Sequence, residues 1–281
     1  MKQLSIITIN RNNAAGLKRT IDSVIAQECK NFQYIIIDGL SSDNSWEIIL
    51  DKKNIQDWIC ISEQDSGIYE AMNKGLRIAS GDYCLFLNSG DWLVSKDTIA
   101  TLYNIIDDAH DVYYSDLLVS NCETSHCISY PKNITVDYLL NNTISHQNSI
   151  IKTSLLRAVG GYNEDFKIVS DWYFYLFIAH RQLASFWYLE KPITYYFHEG
   201  MSNRIENDRV KEKEHTACIE LEFGALAKPV LELIQYRSSI YGKLIIMYNR
   251  PSSLEFVLRC YRYLARRFPW LTKKKYSSSV F

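Results

Sequence analysis

The sequence predicts an α/β fold in which a mostly parallel, twisted sheet lies between helices, with a small mixed sheet and a C-terminal helical extension. Two runs rich in β-branched residues, Leu4–Ile9 and Gln33–Ile37, are typical of strands covered on both faces of a parallel sheet. Between them, apolar residues from Leu17 to Ile25 recur at helical spacing and complete a strand, helix, strand unit. Both strands end in polar residues, Asn10–Asn13 and Asp38–Asp43.

The same unit is repeated further along the chain. Trp58–Ile61 is predicted as a strand, and a loop with turn residues separates it from a helix over Ile68–Ala79. The run Gly81–Trp92 is the most informative, because its buried strand ends abruptly in Asn88-Ser89-Gly90-Asp91. Ligands of open α/β sheets bind at the carboxyl ends of the strands, so we expect a charged ligand here.

The pattern is weaker in the rest of the chain. A helix is predicted over Asp97–Asp108 and a strand over Val112–Asp116. Short β-like segments at His126–Tyr130 and Asn148–Ile151 indicate a smaller mixed sheet. The remaining predicted elements are a helix that begins at Ser170 or Asp171 and a strand over Ile193–His198.

Composition narrows the class of protein. The 281 residues are 47% hydrophobic and 22% charged, as in an ordinary globular protein, and the length predicts one large domain or one domain plus an appendage. No apolar stretch approaches the roughly 18 residues of a membrane span, and the first residues lack a signal-peptide core, which predicts a cytoplasmic protein. Seven scattered cysteines without a Cys-x-x-Cys pair argue against a disulfide framework or a zinc site. We expect no nucleic-acid partner.

Charge is distributed unevenly along the chain. Residues 237–281 contain ten basic side chains against Glu255 alone, a net charge of about +9 that leaves about −10 for the rest. This predicts a domain over residues 1–225 and a basic helical extension over 226–281. In the extension, apolar residues from Leu254 to Phe268 fall at helical spacing opposite arginines, and Trp270 and Lys273–Lys275 follow. Such a helix docks on an anionic membrane surface, or it packs on the preceding domain or in a homodimer.

Six short motifs follow one another along residues 3–200. They are the opening strand into Asn10-Arg11-Asn12, Asp38–Asp43, Asp65–Gly75, Gly81–Asp91, His146-Gln147 and Asp171-Trp172. In this order they resemble the family 2 glycosyltransferases of the bacterial surface-polysaccharide type, which have the nucleotide-sugar-binding GT-A fold. The resemblance implies an inverting hexosyltransferase that moves a sugar from a nucleotide-diphosphate donor, expected to be UDP-linked, to a saccharide acceptor. It further implies a lipid-linked acceptor in polysaccharide or O-antigen assembly, with the enzyme peripheral on the inner face of the cytoplasmic membrane.

The resemblance also implies a donor site at the strand ends. Its residues are Ile9, Asn10, Arg11, Asp38, Asp65, Asn73, Asn88 and Asp91. Asp38 would accept hydrogen bonds from the base or ribose, since a carboxylate suits a pyrimidine imide N–H; the alternative is an Asx-turn. Asp91 would ligate Mg²⁺ or Mn²⁺ and so help to neutralise the leaving diphosphate; the alternative is that it caps the next segment. The family's usual Asp-x-Asp motif is replaced here by Asn88-Ser89-Gly90.

The acceptor side is implied by two motifs. Inverting transfer needs a carboxylate opposite the leaving group to take the acceptor hydroxyl proton, and Asp171 is the implied base, although it can also cap its helix. His146, Gln147 and Trp172 are expected to line the acceptor cleft, with a structural role as the alternative for His146.

Two other functions stay open at this stage. The missing Asp-x-Asp carboxylates are consistent with a nucleotide-sugar-binding protein whose catalysis is impaired. A dehydrogenase would share the doubly wound sheet, but the first strand is not followed by the Gly-x-Gly-x-x-Gly turn that a dinucleotide pyrophosphate needs.

Overall fold

The computed structural model describes residues 3–53, 58–121, 124–197 and 208–239. The strands in these ranges are β1 Leu4–Asn10, β2 Phe32–Asp38, β3 Ile59–Ser62, β4 Tyr83–Phe86, β5 Trp92–Leu93, β6 Val112–Ser115, β7 Leu117–Ser120, β8 Ser125–Ile128, β9 Ser149–Lys152, β10 Phe186–Leu189 and β11 Thr194–Phe197. The α-helices are α1 Ala14–Ile25, α2 Ser45–Lys53, α3 Ile68–Ile78, α4 Thr98–Ile105, α5 Val136–Leu139, α6 Thr153–Ala158, α7 Ser170–His180, α8 Asp208–Phe223 and α9 Ala227–Ser238.

Seven of these strands form one large sheet in the order β10-β6-β9-β4-β1-β2-β3. Neighbouring strands run parallel except where β9 pairs with β4 and β6. The second sheet has the order β5-β11-β7-β8 and contains both parallel and antiparallel pairs. The predicted mixed α/β architecture, with a large mostly parallel sheet and a small mixed one, is therefore confirmed.

The placement of one predicted strand was wrong. The segment Asn148–Ile151 was expected in the small sheet, but β9 lies antiparallel inside the large one, between β4 and β6. Ile150 and Ile151, whose side chains point to opposite faces of the strand, are both completely buried, as the interior of a covered sheet requires. The expected segment at His126–Tyr130 does enter the small sheet, as β8.

Two helices cover the centre of the large sheet. Helix α1 buries Leu17, Ile21 and Val24, which recur on one face, and Asn13 caps its first turn through Gly16 N–H. Helix α3 lies very close to β1, because a Cβ at Gly75 would come within 2.4 Å of Ile7 Cγ2. The small size of Gly75 thus lets α3 pack directly on the strand whose end forms the site.

The chain divides into two compact units, the first ending at Glu222 and the second beginning at Phe223. In the second unit the structure describes residues 223–239, which form a 3₁₀ turn and α9. The boundary predicted after residue 225 stays a prediction. The amphipathic segment from Leu254 to Lys275 lies outside the described residues. Within the described ranges, none of the helices has the length and apolarity required to cross a bilayer.

Candidate active site

The carboxyl ends of three adjacent strands bring polar residues to one edge of the large sheet. Asn10 ends β1 and pairs in register with Asp38, the last residue of β2. Beyond β4, Leu87 N–H and Ser89 N–H donate to carbonyl oxygens of β1, so Asn88 lies level with the end of β1. This edge is where an open α/β sheet binds its ligand.

Asp38 is completely buried at this edge and its carboxylate is saturated with internal donors. Oδ1 accepts from Asn10 Nδ2 at 2.9 Å and from the Ser41 hydroxyl, while Oδ2 accepts from Ser41 N–H at 3.0 Å and from Ser62 Oγ at 2.8 Å. A carboxylate has about four acceptor positions, and all are used. In this structure Asp38 holds the turn after β2, as an Asx-turn does, and its contact with a nucleotide stays a prediction. Ile9 and Asn10 are likewise buried.

Arg11 and Asp65 form a more open pair beside this turn. Arg11 Nη1 lies 3.8 Å from Asp65 Oδ1, and the Arg11 side chain is 59% exposed while that of Asp65 is 6% exposed. A Cβ at Gly39 would come within 2.3 Å of Asp65 Oδ2, so the glycine makes room for the carboxylate. Burial raises the pKa of Asp65, and the nearby Arg11 and Lys74 charges oppose this rise. The long contact leaves both side chains with hydrogen-bonding capacity for a ligand.

Asn88, His146 and Asp171 are connected through one imidazole ring. His146 Nδ1 lies 2.8 Å from Asp171 Oδ2, and His146 Nε2 lies 2.8 Å from Asn88 Nδ2. Asp171 Oδ1 accepts from the Tyr69 hydroxyl at 3.0 Å and from Trp172 N–H at 2.9 Å. The structure thus joins residues predicted for the donor side, for the acceptor side and for catalysis.

The electrostatics of this network favour an ionised Asp171. Burial alone would raise its pKa, but hydrogen bonds from His146, Tyr69 and Trp172 N–H outweigh burial and lower the pKa below its ordinary value. Asp171 lies in the first turn of α7, where a helix N-terminus also favours negative charge. A carboxylate that is ionised at neutral pH can accept a proton.

Two residues predicted for the acceptor cleft are turned inward. Trp172 is buried, its indole N–H donates to Leu139 O at 2.6 Å, and its ring stacks on His215 with the centroids 4.0 Å apart. Gln147 is also buried, and its Oε1 has no hydrogen-bond partner among the described residues. Trp172 therefore packs inside the fold in this structure, and its place in the acceptor cleft stays a prediction.

Asn73, predicted for the donor site, has a structural role here. Its Nδ2 donates to Tyr162 O at 2.7 Å and to Glu164 Oε1 at 2.8 Å, and its Oδ1 accepts from Tyr162 N–H at 2.9 Å. Because its amide is buried and fully engaged, it ties α3 to the loop that precedes α7. Its contact with the donor stays a prediction.

Asp91, the predicted metal ligand, is also engaged within the fold. It is buried, and its Oδ1 accepts from Phe197 N–H at 3.0 Å, which links the turn after β4 to β11. Burial raises its pKa to about 7, with partial compensation from that N–H, whereas a metal ligand needs an ionised, accessible carboxylate. Within the part of the chain that the structure describes, no three His, Cys, Asp or Glu side chains form a group that could hold a metal. These residues therefore do not fit a protein-built metal site, and the metal prediction stays untested.

Sequence analysis did not identify two residues that support Asp171, namely Tyr69 and Glu214. Tyr69 lies in the helix predicted over Ile68–Ala79, but its hydrogen bond to Asp171 spans 102 residues and leaves no local signal in the sequence. Glu214 of α8 accepts hydrogen bonds from Lys167 N–H at 2.8 Å, Ile168 N–H at 2.9 Å and Val169 N–H at 3.3 Å. Glu214 therefore holds the segment that leads into Asp171, and only the folded chain brings them together.

Comparison with known proteins was made after this geometry. The family described as "Glycosyl transferase family 2" matches residues 5–174, which include every residue of the network from Tyr69 to Asp171. The chain belongs to this family. The resemblance stated from the motifs is thereby confirmed, and the chain is a glycosyltransferase.

The glycosyltransferase is similar to one named relative and to two solved structures, among others. It is 30% identical over 175 residues to a PGL/p-HBAD biosynthesis glycosyltransferase of Mycobacterium tuberculosis, which is 60% of this chain and 67% of the relative. It superposes on S. aureus TarS 1–349 in complex with UDP-GlcNAc with a TM-score of 0.64 at 19% identity, covering 84% and 72% of the two chains. For the mannosyltransferase PcManGT of Pyrobaculum calidifontis, in complex with GDP-Man and Mn²⁺, the TM-score is 0.60 at 14% identity, covering 96% and 82%. These likenesses show the GT-A fold.

Proposed function

We propose that this glycosyltransferase moves one sugar, with inversion, from a UDP-linked donor to a hydroxyl group of a saccharide. The observation that carries the proposal is the Asp171 carboxylate, which is held by three donors and linked through His146 to Asn88 at the end of β4. The acceptor oxygen attacks the anomeric carbon, the bond from that carbon to the diphosphate oxygen breaks, and the hydroxyl proton goes to Asp171. The nucleoside diphosphate leaves with the bonding electrons.

For the donor, we propose that Arg11 and Asp65 contact the nucleotide base or ribose. All four acceptor positions of the Asp38 carboxylate are used, whereas the 3.8 Å contact between Arg11 and Asp65 leaves both of these side chains able to bind a ligand. A carboxylate acceptor suits the imide N–H of uracil. TarS has been solved with UDP-GlcNAc, which is consistent with a uridine donor, whereas PcManGT binds GDP-Man. Divalent-metal use stays a prediction from the family, and no step above depends on it.

A panel of donors tests this proposal. At concentrations near 100 Kd, a UDP-sugar should stabilise the folded chain by roughly 2.7 kcal/mol and raise its Tm, while GDP-Man should have little effect. Asp65→Asn should remove most of the shift, because the amide presents one acceptor instead of two; Asp22→Asn, at an exposed surface ion pair, is the matched control. Stabilisation by GDP-Man alone would contradict the uridine assignment. Stabilisation by UDP-sugars without any turnover would favour the impaired, binding-only alternative.

We further propose a lipid-linked acceptor, in polysaccharide or O-antigen assembly at the inner face of the cytoplasmic membrane. The support is the basic segment of the sequence after residue 250, where each cation near an anionic leaflet contributes about 1 kcal/mol. A membrane-docked enzyme would encounter its lipid-linked acceptor by diffusion in the plane of the membrane.

Liposome sedimentation tests the membrane proposal. The full chain should sediment with anionic liposomes at low salt, remain in solution with neutral ones, and be released by high salt. A chain truncated before Ser252 should lose this binding yet keep the donor-dependent Tm shift, which serves as the folding control. Failure of the full chain to sediment with anionic liposomes would mean that the basic segment packs on protein. Conversion of a dimer to a monomer by the truncation would mean the same.

A further inference from the structure

Both ring nitrogens of His146 are engaged in a nearly enclosed position. The side chains of His146 and Asp171 are 12% and 17% exposed, and each ring nitrogen lies 2.8 Å from a polar atom. Nδ1 meets the Asp171 carboxylate and Nε2 meets the Asn88 amide nitrogen. Such paired contacts fix both the orientation of an imidazole and the nitrogen that carries its proton.

The chemistry of the two partners selects one tautomer. An ionised carboxylate only accepts hydrogen bonds, so Nδ1 must carry the hydrogen that it donates to Asp171 Oδ2. The Asn88 amide nitrogen only donates, so Nε2 must present its lone pair. Asn88 therefore favours the neutral ring with its hydrogen on the Asp171 side. A carboxylate at position 88 would require a second hydrogen on Nε2 and would favour the charged imidazolium.

We infer that His146 is a positioning residue for Asp171, and that Asn88 serves this site by fixing the His146 tautomer rather than by binding the metal or the diphosphate. This inference rests on the proposed function. The acceptor proton goes to Asp171, while His146 keeps its Nδ1 hydrogen throughout and passes no proton to Nε2. The replacement of the usual carboxylate at position 88 by an amide then has a chemical purpose.

The titratable groups around this pair come from several elements. Tyr69 of α3 bonds Asp171 directly, and the remaining groups with electrostatic influence on Asp171 or His146 are Asp91, Tyr130, Tyr162, Tyr175 and His215. Burial lowers the pKa of His215 to about 4 and raises that of Asp91 to about 7. The pH comparison must therefore rest on differences between variants rather than on one profile.

Three substitutions test the inference through nucleotide release from the UDP-sugar identified in the donor panel. His146→Ala should lower kcat by about a hundred-fold or more while donor Kd stays within a few-fold. His146→Asn should restore kcat to within about ten-fold of the wild type, because its amide N–H stands where Nδ1–H stood and can donate to Asp171. If the Asn variant is as impaired as the Ala variant, His146 itself takes the proton and the inference is overturned.

The third substitution, Asn88→Asp, changes only the charge that faces Nε2. It should move the acid limb of kcat/KM to lower pH by about one unit, because a charged imidazolium beside Asp171 makes that carboxylate less basic. In the His146→Asn background this shift should vanish. A shift that persists without the imidazole, or no shift in the wild-type background, would overturn the role of Asn88.

A spectroscopic measurement keeps the inference separate from the proposed reaction. In the full-length protein labelled with ¹⁵N-histidine, NMR at pH 7.5 should show His146 with hydrogen on Nδ1 and none on Nε2, and Asn88→Asp should add the second hydrogen. The opposite tautomer would overturn the inference even if transfer is observed. Failure of every nucleotide sugar to bind or turn over, with the expected tautomer present, would instead count against the proposed function.

Discussion

Asp171→Asn should lower turnover of the nucleotide sugar by about 10²- to 10⁴-fold, the usual contribution of a general base, while donor affinity changes by no more than a few-fold. The amide keeps an oxygen that can accept from Tyr69 and Trp172 N–H, so the start of α7 should stay folded. What is lost is the negative charge that receives the acceptor proton. The measurement is nucleotide release under saturating donor, with Kd from calorimetry.

The matched control is Asp22→Asn, whose carboxylate lies in exposed ion pairs with Lys18 and Lys52 and should leave kcat as it is. Wild-type turnover in Asp171→Asn would remove Asp171 from the mechanism. Equal loss of kcat and of donor binding would mean instead that Asp171 serves the donor site.

The second large effect concerns stability and pH. Asp91 has a pKa raised from 3.8 to about 7 by burial, so its ionised form is disfavoured in the folded chain. Stability is unaffected below pH 4, where both states are protonated, and it falls as the pH rises from about 4 to about 7. Three pKa units correspond to roughly 4 kcal/mol at most. Asp91→Asn removes this loss, so the Tm advantage of the variant should grow between pH 5 and pH 8.

Asp43→Asn is a control with the opposite sign. The Asp43 carboxylate accepts from Ala14 N–H at 2.9 Å and Ser45 N–H at 3.1 Å, and its pKa lies below the ordinary value because these bonds outweigh burial. It stabilises the fold above the unfolded-state pKa, so Asp43→Asn should be destabilised at neutral pH and less so in acid. A pH-independent difference for Asp91→Asn would contradict the buried-acid interpretation. Cancellation of that difference by Mn²⁺ at pH 8 would restore Asp91 as a metal ligand.

Sequence reasoning identified the fold because its signals are local. β-branched runs, helical spacing and polar strand ends are visible within windows of about ten residues, and they correctly predict β1, α1, β2 and β4 at the ligand edge. The sheet to which β9 belongs was predicted wrongly, because a short apolar segment does not indicate which sheet it joins. The start of α7 at Ser170 was visible as a cap pattern, which placed Asp171 in its first turn.

The site was only partly predictable, because which groups satisfy one another depends on tertiary contact. Asp38 and Asp65 look equivalent as strand-end carboxylates, yet one is saturated by Ser41, Ser62 and Asn10 while the other keeps accepting capacity. His146 and Asp171 are 25 residues apart, and their bond is not marked in either motif. Trp172 follows Asp171 directly in the sequence, but only the folded chain shows that its ring packs on His215.

Because Glu214 accepts hydrogen bonds from the amides of residues 167–169, the family-matching part of the chain depends on α8 for its structure. The stretch that matches the family ends at residue 174, whereas the carboxylate that holds the segment before Asp171 belongs to Glu214, outside that stretch. Three consecutive amide hydrogens are bonded to this one carboxylate. They should therefore become free to exchange with solvent together, when α8 detaches from the segment. A chimera that exchanged only the family-matching stretch would keep Asp171, His146 and Tyr69. It would depend on the residues after that stretch to replace the hydrogen bonds that Glu214 accepts.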